Sequence, residues 1–204
     1  MTRSPAARRV VLAIRRARYA IILSAATYVI SALIGIAMVT AGVPFAVQQR
    51  DAIVGSAQGG PVLEADKRGD RVQAAMLDFG MNLVLGAGPS SILGLSIVGP
   101  FPIAAYRGWV GGIVSIDGAH TSRLASPSSA RYYVVTMLLQ LAGFTLAMAA
   151  GIHVGVAAWR ARNDPRQRSI AGVRIPGWSL RDAASLYALA VPLLMLGSLW
   201  EFMA

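Results

Sequence analysis

Five polar side chains interrupt apolar stretches of this sequence, and their chemistry limits what the chain can do. They are two acids, two amides and one base: Asp78, Glu201, Asn82, Gln140 and Arg107. A polar group in hydrocarbon is costly unless it faces a partner or water, so each is a candidate functional residue. For the two amides the simpler interpretation is interhelical hydrogen bonding, worth about 0.6 to 2 kcal/mol. Asp78 is expected at the membrane interface, and Glu201 either reaches interfacial water or is a buried acceptor or pathway carboxylate.

The sequence contains no arrangement of residues typical of an enzyme or a metal site. There are no cysteines, and His120 and His153 are too far apart in the chain to form a ligand pair. Ser90 and Ser91 have no evident base, and phosphate loops, nucleophile elbows and His-Glu-x-x-His helices are absent. We therefore predict no catalytic residues, no metal and no cofactor, and keep intramembrane catalysis as a residual alternative.

The composition predicts a membrane protein. Hydrophobic residues make up 55% of the 204 residues and charged residues only 14%, which is too apolar for a soluble core of ordinary polarity. Because a spanning helix needs about 20 apolar residues, we predict an all-α bundle of about five transmembrane helices. The predicted spans are 19–41, 74–98, 101–117, 132–159 and 183–203. The first is expected to be retained, since its apolar run is longer than that of a signal peptide.

Prolines predict that the second and third spans are kinked or broken. The zone 74–116 is too long for one helix, and Gly-Pro-Phe-Pro at 99–102 is its best turn signal. Within the second span, Pro89 frees the carbonyl of Leu85 and should cause a kink. The same signals also fit a re-entrant hairpin, and the sequence leaves both alternatives open.

The arginines predict the orientation, because basic residues beside spans stay on the cytoplasmic side. Segment 1–18 and loop 160–182 are rich in arginine and are predicted to be cytoplasmic, whereas the charge-balanced loop 42–73 and the arginine-poor loop 117–131 are predicted to lie outside. Five crossings of the cytoplasmic membrane then place the N-terminus inside and the C-terminus outside. A re-entrant hairpin would reduce the spans to three and leave every loop on the same side.

The net charge of +10 is explained by this topology and does not indicate nucleic-acid binding. The basic residues stand beside membrane spans instead of forming a polar or aromatic-lined face. Residues 5–18 are expected to form a basic interfacial helix that contacts anionic lipid head groups.

Depth divides the polar residues into two levels. At about 1.5 Å per residue, four of them fall in the outer half of the bilayer, namely Asp78, Asn82, Gln140 and Glu201. Arg107 and His153 fall in the inner half. Arg107 is therefore predicted to be a poor partner for Glu201, and Arg71 or Arg131 would be better placed.

Small residues predict close helix packing. In the fourth span they recur every four residues, at Gly143, Ala147, Gly151 and Gly155. In the third span Gly108 and Gly111 should likewise allow another backbone to approach. The fourth-span ridge fits either a neighbour in the same bundle or a second protomer, which would make a homodimer.

These residues together resemble the stage II sporulation protein M family of integral membrane proteins. The resemblance is carried by Asn82, by Ala-Tyr-Arg-Gly-Trp-Val-Gly at 105–111, by Gln140 followed by Ala-Gly at 150–151 and by Gly155, and by Leu-Trp-Glu-Phe at 199–202. It covers 76–155 and 186–203. It implies a multi-span component of a membrane complex, permease-like or a partner of other envelope proteins, with no settled biochemical activity.

The departures from the family pattern bear on mechanism. Arg107 replaces an asparagine, and Thr136 and Gln140 stand where the family has histidine and glutamate, so a proton or metal role of that pair would be lost here. We predict a non-enzymatic subunit of a cell-envelope complex that acts through helix packing and docking of other membrane proteins. The alternative is a permease-like subunit that works as a dimer with a separate ATPase docked on loop 160–182.

Overall fold

A computed structural model describes residues 4–117, 121–123, 126–164, 169–170 and 172–203, and these are almost entirely helical. His120 lies outside them. The elements in chain order are α1 (Pro5–Thr40), α2 (Pro44–Gln58), α3 (Pro61–Lys67), α4 (Arg71–Met81), a π-helical turn (Asn82–Ala87), α5 (Gly88–Gly94), α6 (Pro100–Val114), α7 (Pro127–Ala161), β1 (Ser169–Ile170), β2 (Val173–Arg174) and α8 (Gly177–Met203). The two short strands pair antiparallel.

Proline and capping side chains determine where most helices begin. Helices α1, α2, α3, α6 and α7 each carry proline at the start, where its missing N–H costs nothing. Ser4, Asp70 and Ser126 also accept backbone N–H groups of the first turns of α1, α4 and α7. The helix starts are therefore encoded locally.

Within the described residues, three helices are long and apolar enough to cross a membrane: α1, α7 and α8. Their length and composition suggest a membrane-embedded protein. The other two predicted spans, 74–98 and 101–117, do not meet that criterion. The first is divided by the π-helical turn, and α6 has 15 residues, or about 22 Å at the usual rise, against a hydrocarbon core of about 30 Å. The count of about five spans stays a prediction.

Several predicted boundaries need correction. Loop 42–73 is largely helical, because α2 and α3 start at Pro44 and Pro61. Segment 5–18 is not a separate interfacial helix but the first turns of α1, which continues to Thr40. Helix α8 begins at Gly177, six residues earlier than expected, so that Asp182 belongs to the helix and not to a loop.

The interrupted zone forms a helical hairpin, with α4, the π-helical turn and α5 as one arm and α6 as the other. The distortion lies at 82–87, just before Pro89, whose ring cannot donate to the Leu85 carbonyl. The predicted break in the third span is absent, since α6 is continuous and both of its prolines lie in its first turn. The hairpin turn at 95–99 contains Ile97 with a positive φ of 69°.

The small-residue ridge of α7 is filled by helices of the same chain. A Cβ at Gly151 would lie 2.1 Å from the Ser91 carbonyl oxygen, and one at Gly155 would lie 2.6 Å from that of Leu95. A Cβ at Gly143 would meet the Leu194 side chain of α8 at 2.6 Å. Ala147 is fully buried in the same seam. The ridge is thus an intramolecular packing surface that α5 and α8 fill.

Helix α6 packs against α1 in the same manner. Cβ atoms at Gly108 and Gly112 would each lie 2.1 Å from a carbonyl oxygen of α1, those of Tyr28 and Ala32. Gly111 faces elsewhere, and its carbonyl accepts the Tyr133 hydroxyl at 2.5 Å. Glycine-to-backbone contacts therefore fix one arm of the hairpin to α7 and the other to α1.

Candidate functional site

The bundle has two polar ends, which we name after their residues. The Glu201 end is where α4 begins and α8 ends, and Asp78 of α4 contacts Ser198 of α8 there. The arginine-rich end is where α1 and α8 begin, and Arg16 contacts Asp182 there. The hairpin turn lies toward the arginine-rich end, because Ile97 and Phe101 line a cavity together with Arg16 and Arg160.

At the Glu201 end, Asp78 is the centre of a hydrogen-bond network between α4 and α8. Its Oδ2 accepts the Asn82 amide at 2.9 Å and the Ser198 hydroxyl at 2.6 Å. Asp78 is thus shared between helices and is not simply exposed at an interface. Asn82 is the first residue of the π-helical turn. The hydrogen-bond network of Asp78 therefore includes the residue at which the helix becomes distorted.

Glu201 is joined to α7 by both its side chain and its backbone. The Gln140 amide donates to its Oε2 at 3.2 Å, and the Tyr132 hydroxyl donates to its carbonyl oxygen. Trp200 Nε1 in turn donates to the Tyr132 carbonyl at 3.2 Å. Asn82, expected at the same depth, bonds Asp78 instead of Glu201.

A cavity of about 610 Å³ opens beside these contacts. Its polar lining comes from α1, α6, α7, the end of α8 and the segment before α7. These residues are Tyr28, Tyr106, Arg107, Arg123, Tyr132, Tyr133, Thr136, Gln140 and Glu201. Phe144, Met137 and Ile103 supply apolar wall. The cavity thus combines two bases, one acid and several hydroxyl and amide groups in an otherwise apolar bundle.

Arg107 is predicted to lie at another depth than Glu201 and to be a poor partner for it. It lines the same cavity as Glu201, although no ion pair joins the two among the described residues. Its guanidinium lies 4.1 Å from the Phe144 ring centroid and fills the space left by Gly86, where a Cβ would lie 2.5 Å from Nη2. A long side chain beside a glycine can extend well away from its own backbone, so Arg107 and Glu201 line one cavity without forming an ion pair.

The expected alternative partners of Glu201 are not used. In the part of the chain that the structure describes, neither Arg71 nor Arg131 forms an ion pair with this carboxylate. Arg123, which precedes α7, also lines the cavity and lies 5.8 Å from the Tyr133 ring centroid. The bases that face the cavity are therefore Arg107 and Arg123.

Ser90 bonds within its own helical segment, whereas Ser91 joins neighbouring helices. Ser90 donates to the Gly86 carbonyl at 2.6 Å. Ser91 Oγ lies 2.6 Å from the Ala147 carbonyl oxygen and 2.5 Å from the Tyr187 hydroxyl. The Ser91 contacts join α5 to α7 and α8 directly after the π-helical turn.

The arginine-rich end contains a cluster that the sequence did not reveal. Asp182 Oδ2 lies 3.2 Å from both Arg16 Nη1 and His153 Nε2, which joins α8 to α1 and α7. The Trp178 ring contacts both partners, with the His153 ring centroid and the Arg16 guanidinium each 5.5 Å from it. The sequence signal was Asp182 itself, an acid in an arginine-rich segment just before an apolar run.

The described residues hold no group of three or more histidine, cysteine or acidic residues that could bind a metal. Their polar groups can bind and orient a ligand through charge and hydrogen bonds.

The chain matches no protein-family model, no curated protein and no solved structure.

Proposed function

We propose that the chain is a non-enzymatic, multi-span subunit of a cell-envelope membrane complex, resembling the stage II sporulation protein M family, that acts through helix packing and partner docking. The observation that supports this is the double anchoring of the hairpin, whose arms pack by glycine onto the backbones of α7 and α1. Such contacts leave little freedom for one helix to slide past another. A rigid bundle presents constant outer faces, as docking requires.

The outer faces are available for such docking. Large apolar side chains of α1 project outward, with Ile22, Ile30 and Leu33 each more than half exposed. Lipid covers them unless a partner does. Because the ridge of α7 is occupied within the chain, a partner protein or a second copy would use these faces.

In this proposal the hairpin enters the bilayer together with α1, α7 and α8, with the N-terminus cytoplasmic and the C-terminus outside. The position of its turn near the arginine-rich end is consistent with two full crossings and with a deep re-entrant loop.

Because the chain has no cysteines, single-cysteine variants test the orientation cleanly. A membrane-impermeant maleimide added to intact cells should label the outer positions and not the inner ones: Gln58 and Ser128 outside, Ser4 and Asn163 inside. Labelling of Ser4→Cys from outside would refute the orientation.

Partner identity tests the main proposal. The tagged protein is cross-linked in cells, extracted in mild detergent and analysed by mass spectrometry, with Gly151→Leu as a matched variant whose packing is disrupted. We expect envelope-assembly proteins to be enriched with the wild-type chain and lost with the variant. Recovery of an ATPase as the main specific partner would favour the second candidate instead.

The second candidate is a permease-like subunit, and the cavity that contains Arg107 and Glu201 favours it. Substrate pathways in transporters are lined by polar groups beside discontinuous helices, and the π-helical turn lies on this cavity's side of the bundle, as Leu85 lines it. A cysteine at Thr136 should then react with a water-soluble maleimide, whereas one at the fully buried Ala149 on the same helix should not. An unreactive Thr136→Cys would remove the observation on which this candidate rests.

A further inference from the structure

A second cavity, of about 630 Å³, lies at the arginine-rich end between α1, the hairpin turn and the last turns of α7. One part of its wall is basic, with Arg16 and Arg160. The rest is apolar and includes Leu23, Phe101 and Val156. The cavity therefore pairs a charged mouth with a hydrocarbon-like wall.

We propose that this cavity binds one anionic phospholipid, with the lipid phosphate held by Arg16 and Arg160 and an acyl chain lying along Leu23, Phe101 and Val156. Basic pockets between membrane helices are known to recognise anionic head groups. The site is independent of the partner-docking proposal, since lipid binding requires neither a partner protein nor transport.

The charge balance at the mouth favours an anion. Asp182, the acid of the neighbouring cluster, is buried and faces both Arg16 and His153. The Arg16 side chain is nevertheless 51% exposed, and only its Nη1 contacts the carboxylate. Arg160 is exposed and forms no ion pair among the described residues. Two guanidinium groups thus keep donors available for a phosphate.

Aromatic residues place the mouth at head-group depth. Trp178 and Tyr19 line the cavity beside the arginines, and Tyr19 is 66% exposed. Tryptophan and tyrosine favour the membrane–water interface. The apolar wall continues from this level toward the middle of α1, where Ile22 and Leu23 are also exposed. A lipid can therefore fill both parts of the cavity at once, whereas a free phosphate would leave the apolar part empty.

Trp178 provides a direct reporter. In the test variant, phenylalanine replaces Trp109, Trp159 and Trp200, so that Trp178 is the single tryptophan. Folding of the variant is checked by circular dichroism, and the protein is reconstituted in phosphatidylcholine nanodiscs. Brominated phosphatidylglycerol or brominated phosphatidylcholine is added at equal low mole fraction. We expect stronger quenching by the brominated phosphatidylglycerol, and loss of about fivefold in its apparent affinity in Arg160→Gln. Arg16→Gln should behave likewise, but it also removes a partner of Asp182, so Arg160→Gln is the primary variant.

The matched controls are Arg15→Gln and Arg162→Gln. Arg15 lies next to Arg16 on α1, Arg162 lies at the end of α7, and neither lines the cavity. They should keep the preference for the anionic lipid. Equal quenching by both brominated lipids would overturn the proposal, and so would an equal loss in the control variants, which would indicate diffuse surface charge. Removal of the preference by inorganic phosphate would overturn the lipid assignment in favour of a phosphate site.

Discussion

Gly151→Ala tests one of the closest helix contacts among the described residues with the smallest side chain available. The added Cβ would lie 2.1 Å from the Ser91 carbonyl oxygen and under 3 Å from two further Ser91 backbone atoms. Because that neighbour is backbone, α5 and α7 must separate by roughly 1 Å, which weakens dispersion contacts along the seam. Overpacking of this kind costs about 1 to 3 kcal/mol. At about 2 to 4 °C per kcal/mol for a chain of this size, we expect the melting temperature to fall by roughly 2 to 12 °C.

The assay is thermal unfolding in detergent, monitored by size exclusion or by intrinsic fluorescence. Gly80→Ala is the matched control, since nothing lies within 4 Å of its Cβ position and the residue is also helical. Alanine there should be neutral or stabilising by up to about 1 kcal/mol through helix propensity. If Gly151→Ala melts at or above the wild-type temperature, α5 and α7 are not in backbone contact and the packing argument is wrong.

Two further predictions concern the polar ends. Glu201→Gln should retain the contact with Gln140 and wild-type stability. Glu201→Leu should lower the free energy of unfolding by about 1 to 3 kcal/mol, because it leaves the Gln140 amide without its acceptor. Equal melting temperatures of the two variants would show that the carboxylate merely points to water. Asp182→Asn should keep one hydrogen bond to Arg16 or His153, whereas Asp182→Ala should leave both without an acceptor and lower stability by a similar amount. Unchanged protease resistance of Asp182→Ala in mild detergent would contradict a structural role for this cluster.

Local signals in the sequence predicted the long elements well. The charge-free run after Tyr19 and the apolar runs of α7 and α8 identify the three long helices, because length and hydropathy suffice for that purpose. The proline at position 89 predicted a distorted second span but not its form. Whether a freed carbonyl produces a kink or a π-helical turn depends on the neighbouring helices, and here Ser91 and Tyr187 bond across the seam directly after it.

The candidate sites were predicted less completely, because side-chain reach and pairing are tertiary properties. Gln140 and Glu201 are in contact because they lie at the same height along two antiparallel helices. Counting residues from the helix ends estimates that height well. Counting did not predict that Arg107 and Glu201 line one cavity, since it follows the backbone and not the guanidinium. It also missed Asp182, because the early start of α8 turns a presumed loop residue into a helix residue that faces His153.

The distribution of small residues also explains why cavities occur where they do. Along α7, the glycines at 151 and 155 bring α5 into backbone contact and leave no space there. About three to four turns before Gly151, Thr136 and Gln140 line the same cavity as Gly111, where a Cβ would meet only ordinary contacts at 3.4 Å or more. The same helix thus closes its seam with α5 at Gly151 and Gly155 and leaves space beside Thr136 and Gln140. Filling the seam at Gly151 should therefore disturb packing without changing the groups that line the Glu201 cavity, whereas substitutions at Arg107 or Glu201 should change the cavity without loosening the seam. This separation allows packing and ligand-binding roles to be tested independently in one chain.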